Sequence, residues 1–208
     1  MSKPNNANES ASRRTARSAA SKTRLRSSDS TSTRADAAVL SHIAPSGAAQ
    51  MVDVGAKPVT ARSATAEGIV RISAALEERI RANTLAKGSL LDVARLAGIL
   101  AAKRTDELIP LCHTLPLDSV DVTAAIERGR VRVTATARVH GRTGVEMEAL
   151  TAVAMACLTV IDMGKAIDKQ MVIEGVRVIE KHGGRSGSFV AAEMASGQQR
   201  TRAREARR

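Results

Sequence analysis

The chain has 208 residues, enough for one domain of ordinary size with length to spare. Hydrophobic residues make up 43%, which suffices for a packed core, but Trp and Tyr are absent and Phe189 is the single Phe, which rules out aromatic platforms for stacking single-stranded nucleic acid. The formal charge of +11 belongs mostly to the ends: residues 1–48 carry 8 Lys/Arg against 3 Asp/Glu, residues 190–208 carry 5 against 2, and residues 49–189 carry 19 against 16, a net of only +3.

Residues 1–40 are mostly Ser, Ala, Arg, Thr and Asn. Such a stretch buries too little apolar surface to offset an ordering cost of roughly 1–2 kcal/mol per residue, so a disordered basic tail is expected. Its content also resembles an organelle transit peptide, without an obvious amphipathic helix. The folded domain is expected over residues 41–189, and a second disordered, charged tail over residues 190–208. After a loop containing Pro58, residues 61–72 read as a strand and residues 73–85 as a helix. Ser89 is a good N-cap with Asp92 as its capping-box partner, and Leu90, Val93, Ala97 and Leu100 then fall on one helical face. Residues 120–126 and 130–139 read as two strands around a turn at Glu127-Arg128-Gly129. In the second, Val131, Val133, Ala135, Ala137 and Val139 alternate with Arg130, Arg132, Thr134, Thr136 and Arg138, so one face is buried and one wet. A long apolar helix is expected over residues 149–168 and a last strand over residues 171–180.

That order gives an α+β, ferredoxin-like βαββαβ sandwich with an antiparallel four-stranded sheet and one extra short helix. The fold hosts many functions and does not choose among them.

The two cysteines, Cys112 and Cys157, do not form a disulfide framework. No apolar signal segment opens the chain, and Arg13-Arg14 lacks the hydrophobic stretch of an export signal. The apolar run of residues 149–163 is shorter than the roughly 18–20 residues that span a bilayer. A soluble, cytoplasmic protein without a membrane partner is expected. There is no phosphate-loop or dinucleotide fingerprint, and no Cys-x-x-Cys or His-x-x-x-His pair for zinc. Phosphate binding would have to come from scattered Lys, Arg and His side chains.

Four places carry possible chemistry. Leu111-Cys112-His113 ends an apolar run between Pro110 and Pro116; taken alone, His113 reads first as a hydrogen-bonded structural residue, and Cys112 as a small buried apolar group. Glu146 and Glu148 flank Met147 just before the long helix; they share a side if the segment is extended, or complement the dipole if it is the first helical turn. Asp162 lies near the C-terminus of a helix that is apolar nearly all round, hence expected to be buried, with Lys165 one turn later to compensate it. A structural ion pair explains this, but such rule-breaking also marks working sites. The fourth place is a set of isolated cations, Arg62, Lys87 and Lys181, each of which alone reads as a solvated surface charge.

Taken together, Met51-Val52-Asp53-Val54, Lys87-Gly88, Ala102-Lys103-Arg104-Thr105, Ile109-Pro110-Leu111-Cys112-His113, Thr143-Gly144-Val145-Glu146-Met147-Glu148-Ala149-Leu150-Thr151-Ala152, Asp162-Met163 with Lys165-Ala166, and Gly183-Gly184 with Ser186-Gly187 resemble, in order, the cyclic pyranopterin monophosphate synthases of molybdenum cofactor biosynthesis. The likeness runs from about Ser41 to Phe189. It implies conversion of 3′,8-cyclo-7,8-dihydroguanosine 5′-triphosphate to cyclic pyranopterin monophosphate and pyrophosphate, with no redox or metal cofactor. It also implies a homohexamer, a trimer of dimers, with each site at a dimer interface. By the same resemblance Asp162, Lys165 and Lys87 are catalytic. Leu111, Cys112, His113, Met147 and Glu148 bind substrate, with Glu146 beside them, and Asp53, Arg62 and Lys181 line the pocket. Thr114-Leu115-Pro116 after His113, Ser89 after Gly88 and Ile161 before Asp162 depart from the common pattern without removing any of these residues. Two other readings remain: a ferredoxin-like RNA-binding module with basic tails, and a metal-dependent hydrolase built on His113, Cys112 and the two Glu.

Overall fold

The computed structural model describes residue 43, residues 46–185 and residues 187–192; both expected tails lie almost wholly outside the described residues. Strand β1, Thr60–Arg71, leads through the N-cap Ser73 into α1, Ala74–Arg81. Helix α2, Leu90–Ala102, and the short α3, Thr105–Leu108, follow. The hairpin β2, Ser119–Glu127, and β3, Arg130–Gly141, turns at Gly129, whose φ of 71° suits glycine. Helix α4, Glu146–Gly164, then crosses to β4, Val172–His182, and β5, Phe189–Val190.

The sheet order is β2-β3-β1-β4-β5, with every pairing antiparallel. The first four strands form the ferredoxin-like arrangement, and the two-residue β5 extends its β4 edge, making five strands where four were expected. The alternation in β3 holds: Val131, Val133, Ala135, Ala137 and Val139 are all buried. They meet the face of α4 that carries Ala149, Ala152, Val153, Ala156, Cys157 and Val160, also buried.

The core has no aromatic side chain, so its layers are brought together by small residues. A Cβ on Gly68 of β1 would lie 2.7 Å from Val153 and 3.3 Å from the Cys157 sulfur. A Cβ on Gly98 of α2 would lie 2.9 Å from the carbonyl oxygen of Ala152. Both are closer than side-chain carbons normally approach, so these glycines set how near α4 lies to the sheet and to α2.

Three local expectations are corrected. The buried face of α2 is Leu90, Ala94, Gly98, Ala101 and Ala102, whereas Val93, Leu96 and Leu100 are exposed. Small residues face α4 because the close approach leaves no room for Leu. The Ser89 hydroxyl donates to Asp92 Oδ2 at 2.7 Å and makes no side-chain bond to the helix backbone. Helix α4 starts three residues earlier and ends four residues earlier than expected. Past Gly164 the buried Asp168 takes over, accepting from the amides of Ser73 at 2.7 Å and Gln170 at 2.9 Å. It thereby ties the end of the helix to the start of α1.

Because the atom facing Gly98 is backbone and cannot rotate away, Gly98→Val is expected to lower stability by about 1–3 kcal/mol. Urea unfolding would show a lower midpoint at an unchanged slope.

Candidate active site

Helix α4 carries a charged group at each end. At its C-terminus, Lys165 is the C-cap residue and Asp162 lies three residues before it. Lys165 Nζ donates to Asp162 Oδ1 at 2.6 Å. The loop between α1 and α2 turns at Gly88, φ 88°, and brings Lys87 Nζ to Asp162 Oδ2 at 3.1 Å and to its main-chain oxygen at 3.3 Å. One carboxylate thus bridges two ammonium groups. The hydrogen bonds from Lys165 first, then Lys87, hold the Asp162 carboxyl below its ordinary range.

The expectation that Asp162 is buried is overturned: its side chain is 58% exposed, and Lys87 and Lys165 are likewise exposed. The helix is apolar nearly all round, but its last turn leaves Asp162 on the solvent side. Leu158, a turn earlier, is exposed as well.

The N-terminal end is different in kind. Residues 146 and 148 both fall in the first helical turn, so the helical alternative holds. They point apart, as two positions on a 3.6-residue turn must. Glu146 accepts from Lys181 Nζ at 3.1 Å. Its carboxylate folds back over Gly144, where a Cβ would overlap it. Glu148 is only 4% exposed, and burial pushes its carboxyl up to about 7, with the charges of Glu146 and Asp106 adding to the rise. Cys112, half-buried, has its thiol raised by burial first and then by Glu148 and Asp106. Glu148, Asp106 and Cys112 therefore share one neighbourhood. His113 Nε2 donates to the carbonyl oxygen of Val52 at 2.9 Å, joining the Leu111–His113 segment to the stretch before β1. Asp53 stays exposed and accepts from the Gly55 amide at 2.8 Å. Arg62 Nε donates to the carbonyl of Gly141 at 3.1 Å. Met147 is exposed and Leu111 half-buried.

Within one chain, then, the structure joins Lys87, Asp162 and Lys165, and separately Glu146 with Lys181 and Cys112 with Glu148. It does not join the two ends: from residue 146 to residue 162 the helix rises about 24 Å. Asp106 was not singled out from the sequence, where nothing marks it among other surface acids. Arg138, His140 and His182 were also missed. They line, with Arg62, Ser63 and Asp118, a cavity of about 500 Å³ at the Arg62 end of the sheet. Their signal is the strand register alone, which sets Ser63 opposite both Arg138 and His182. Among the described residues no cluster of three His, Cys, Asp or Glu side chains is placed to hold a metal ion, so His113, Cys112 and the two Glu do not form one.

One carboxylate shared by two lysines, with a second carboxyl buried at the other end of the same helix, gives this ferredoxin-like domain groups able to give and take protons. The MoaC family model matches residues 51–184, and the chain belongs to that family. It is 54% identical over 154 residues to the cyclic pyranopterin monophosphate synthase of Novosphingobium aromaticivorans, covering 74% of this chain and 98% of that one. The enzyme of the same name from Parvibaculum lavamentivorans is 53% identical, covering 73% and 96%. That of Brucella melitensis biotype 2 is 52% identical, covering 76% and 96%.

The RNA-binding reading loses its surface. Such a module stacks bases on aromatics of the open sheet face. Here that face holds Glu67 between Arg132 at 2.7 Å and Arg177 at 2.8 Å, and a Thr65–Thr136 hydrogen bond at 3.0 Å. Helix α4 is the one helix among the described residues long and apolar enough to cross a membrane, and it is packed on the sheet.

Glu148 gives a signed pH dependence. Its folded-state pKa near 7 lies above the ordinary 4.5. The unfolded chain thus loses this proton first, and stability falls as pH rises from about 4.5 to about 7. Glu148→Gln removes that penalty. At pH 8 the variant is expected to be more stable by roughly 2–4 kcal/mol, and at pH 4 to match the parent. Urea unfolding at the two pH values measures the difference.

Proposed function

We infer that the chain is a lyase of molybdenum cofactor biosynthesis that converts (8S)-3′,8-cyclo-7,8-dihydroguanosine 5′-triphosphate to cyclic pyranopterin monophosphate with release of pyrophosphate. The observation that carries the assignment of roles is the Asp162 carboxylate held between Lys87 and Lys165. Opening and reclosing the purine-derived ring requires protons to be given and taken at nitrogen and carbon, and two ammonium groups fixed by one carboxylate can do this in turn. Lys165 and Lys87 move protons on the ring, and Asp162 orients both. A ribose-derived hydroxyl then attacks the α-phosphorus. The bond from that phosphorus to the bridging oxygen breaks, and pyrophosphate departs with its electron pair. Glu148, neutral below about pH 7, can donate a hydrogen bond to the substrate, with Leu111, Cys112, His113 and Met147 forming the adjacent wall. Arg62, His113 and Lys181 meet the triphosphate, and Asp53 and Glu146 complete the polar lining.

A catalytic group acts within about 3 Å of the atom it serves. Glu148 and Asp162, about 21 Å apart along α4, therefore cannot serve one ring from one chain. A second copy related by a two-fold axis, its α4 antiparallel to the first, would bring the Asp162 end of each protomer to the Glu148 end of the other. We assign a site of this kind to a two-fold dimer interface, three such dimers forming a hexamer in the cytoplasm. The exposed Val93, Leu96 and Leu100 on α2 and Leu158 on α4 supply apolar surface for those contacts. The catalytic domain spans residues 41–189, with the two basic segments as appendages outside it.

The shared site is testable by complementation. Lys165→Ala and His113→Ala proteins are each expected to release no pyrophosphate from the cyclised triphosphate. After unfolding and refolding together, random pairing in two-fold dimers leaves about a quarter of the sites intact, so about a quarter of parental turnover returns. No recovery, from subunits shown to have mixed, would place the whole site in one protomer.

A further inference from the structure

We propose that Asp106 is a positioning residue for the Glu148 end of the site: through Thr114 it holds the Leu111–His113 segment in place, and it sets a negative charge beside Glu148 and Cys112. This deepens the reading above and rests on it.

Leu111, Cys112 and His113 lie in the connection between α3 and β2, outside any helix or strand, so individual hydrogen bonds decide where they sit. On the entry side the Cys112 amide donates to the Ile109 carbonyl at 3.0 Å. From the flank the His113 ring reaches the Val52 carbonyl at 2.9 Å. On the exit side the Thr114 hydroxyl donates to Oδ2 of Asp106, eight residues back. That last bond closes the connection into a short loop with the three wall residues inside it. A hydrogen bond to a carboxylate is roughly twice as strong as one between neutral groups.

Asp106 stands on a fixed base. A four-residue helix has little stability of its own, but α3 is anchored to the end of α2. Thr105 is buried, and its hydroxyl donates to the Ala102 carbonyl at 3.0 Å. The Ile109 amide donates to the Thr105 carbonyl at 2.9 Å. Asp106 itself is half-buried between these anchors, while Glu107 and Leu108 turn outward.

The same carboxylate is felt at two groups of the site. It adds to the rise of the Glu148 carboxyl, after burial and Glu146, and to that of the Cys112 thiol, after burial and Glu148. The other charged or titratable groups at this end are Glu146 on α4, Lys181 on β4, which bonds Glu146 at 3.1 Å, Arg62 on the helix-facing side of β1, which bonds the Gly141 carbonyl, and His113. A carboxyl raised toward neutrality keeps its proton and can donate a hydrogen bond. One side chain thus holds the wall and helps keep the donor beside it protonated.

Two variants separate the tie from the charge. Thr114→Val removes the hydroxyl and keeps the carboxylate; Asp106→Asn keeps an acceptor oxygen and removes the charge. Turnover of the cyclised triphosphate by the assembled, full-length protein is followed against pH, and so is alkylation of Cys112 by iodoacetamide, read by peptide mass spectrometry. Thr114→Val is expected to raise KM about three- to tenfold, the loss of one hydrogen bond to a charged group, with kcat falling less. Thr114→Ser should restore the parental KM. Asp106→Asn is expected to move the upper limb of the kcat/KM profile and the midpoint of Cys112 alkylation to lower pH, because both acids lose a neighbouring negative charge. An unchanged KM in Thr114→Val, an unmoved Cys112 midpoint in Asp106→Asn, or an equal shift of that midpoint in Thr114→Val would overturn the inference while the parent still turns over. A parent that releases no pyrophosphate, although Asp106→Asn still shifts Cys112, sinks the enzymatic reading and leaves the charge coupling standing.

Discussion

Everything in this molecule hangs on the close packing of α4 against the sheet and α2. With no aromatic side chain in the core, volume is filled by Ala and Val, and the layers meet across Gly68 and Gly98. Small residues make contacts many and rotamers few, so the helix is held as a rigid rod over its 19 residues. A rigid rod with a charged group at each end is a ruler. It fixes the separation of the Asp162 and Glu148 groups, and it excludes bending as a way to bring them together.

The two carboxylates also show which electrostatic effect wins. The helix dipole favours negative charge at the N-terminus and opposes it at the C-terminus, typically by about 0.3–1 kcal/mol. The shifts run the other way. Glu148, at the favourable end, is pushed up to about 7 because burial removes water and Glu146 and Asp106 add like charge. Asp162, at the unfavourable end, is held low because two ammonium groups hydrogen-bond to it. Local desolvation and direct partners outweigh the dipole in both cases. The result is one carboxyl raised toward neutrality at the N-terminal end of the helix and one lowered at its C-terminal end.

The fold was legible in the sequence where one face is buried and one is wet. The β3 alternation and the glycine turn before it are local signals, and both hold. The α2 face was misread because apolarity stood in for burial: Val93 and Leu100 are larger than Ala94 and Ala101, but only the small residues fit beneath α4. The same error placed Asp162 inside. A helix apolar all round is buried only if something covers every side, and among the described residues nothing covers Leu158. At the site, Lys165 with Asp162 was readable from an i,i+3 spacing. The arrival of Lys87 was not, since it depends on a loop turning at Gly88. The Arg62 contact was equally hidden, because its side chain bonds the Gly141 carbonyl, 79 residues away on the neighbouring strand.

These misreadings share a physical cause that bears on the chemistry. A lysine gives up its proton near neutral pH when it is desolvated, and the lysines beside Asp162 are more than half exposed. In water such ion pairs are weak. The apolar side chains left uncovered on α2 and α4 lie on the two helices that flank this group. A surface that covers them would also strip water from Asp162, Lys87 and Lys165, strengthening every charge interaction among them. In the proposed dimer, assembly and activation are the same event: the partner that completes the site with the Glu148 end supplies the low dielectric that the Asp162 end lacks.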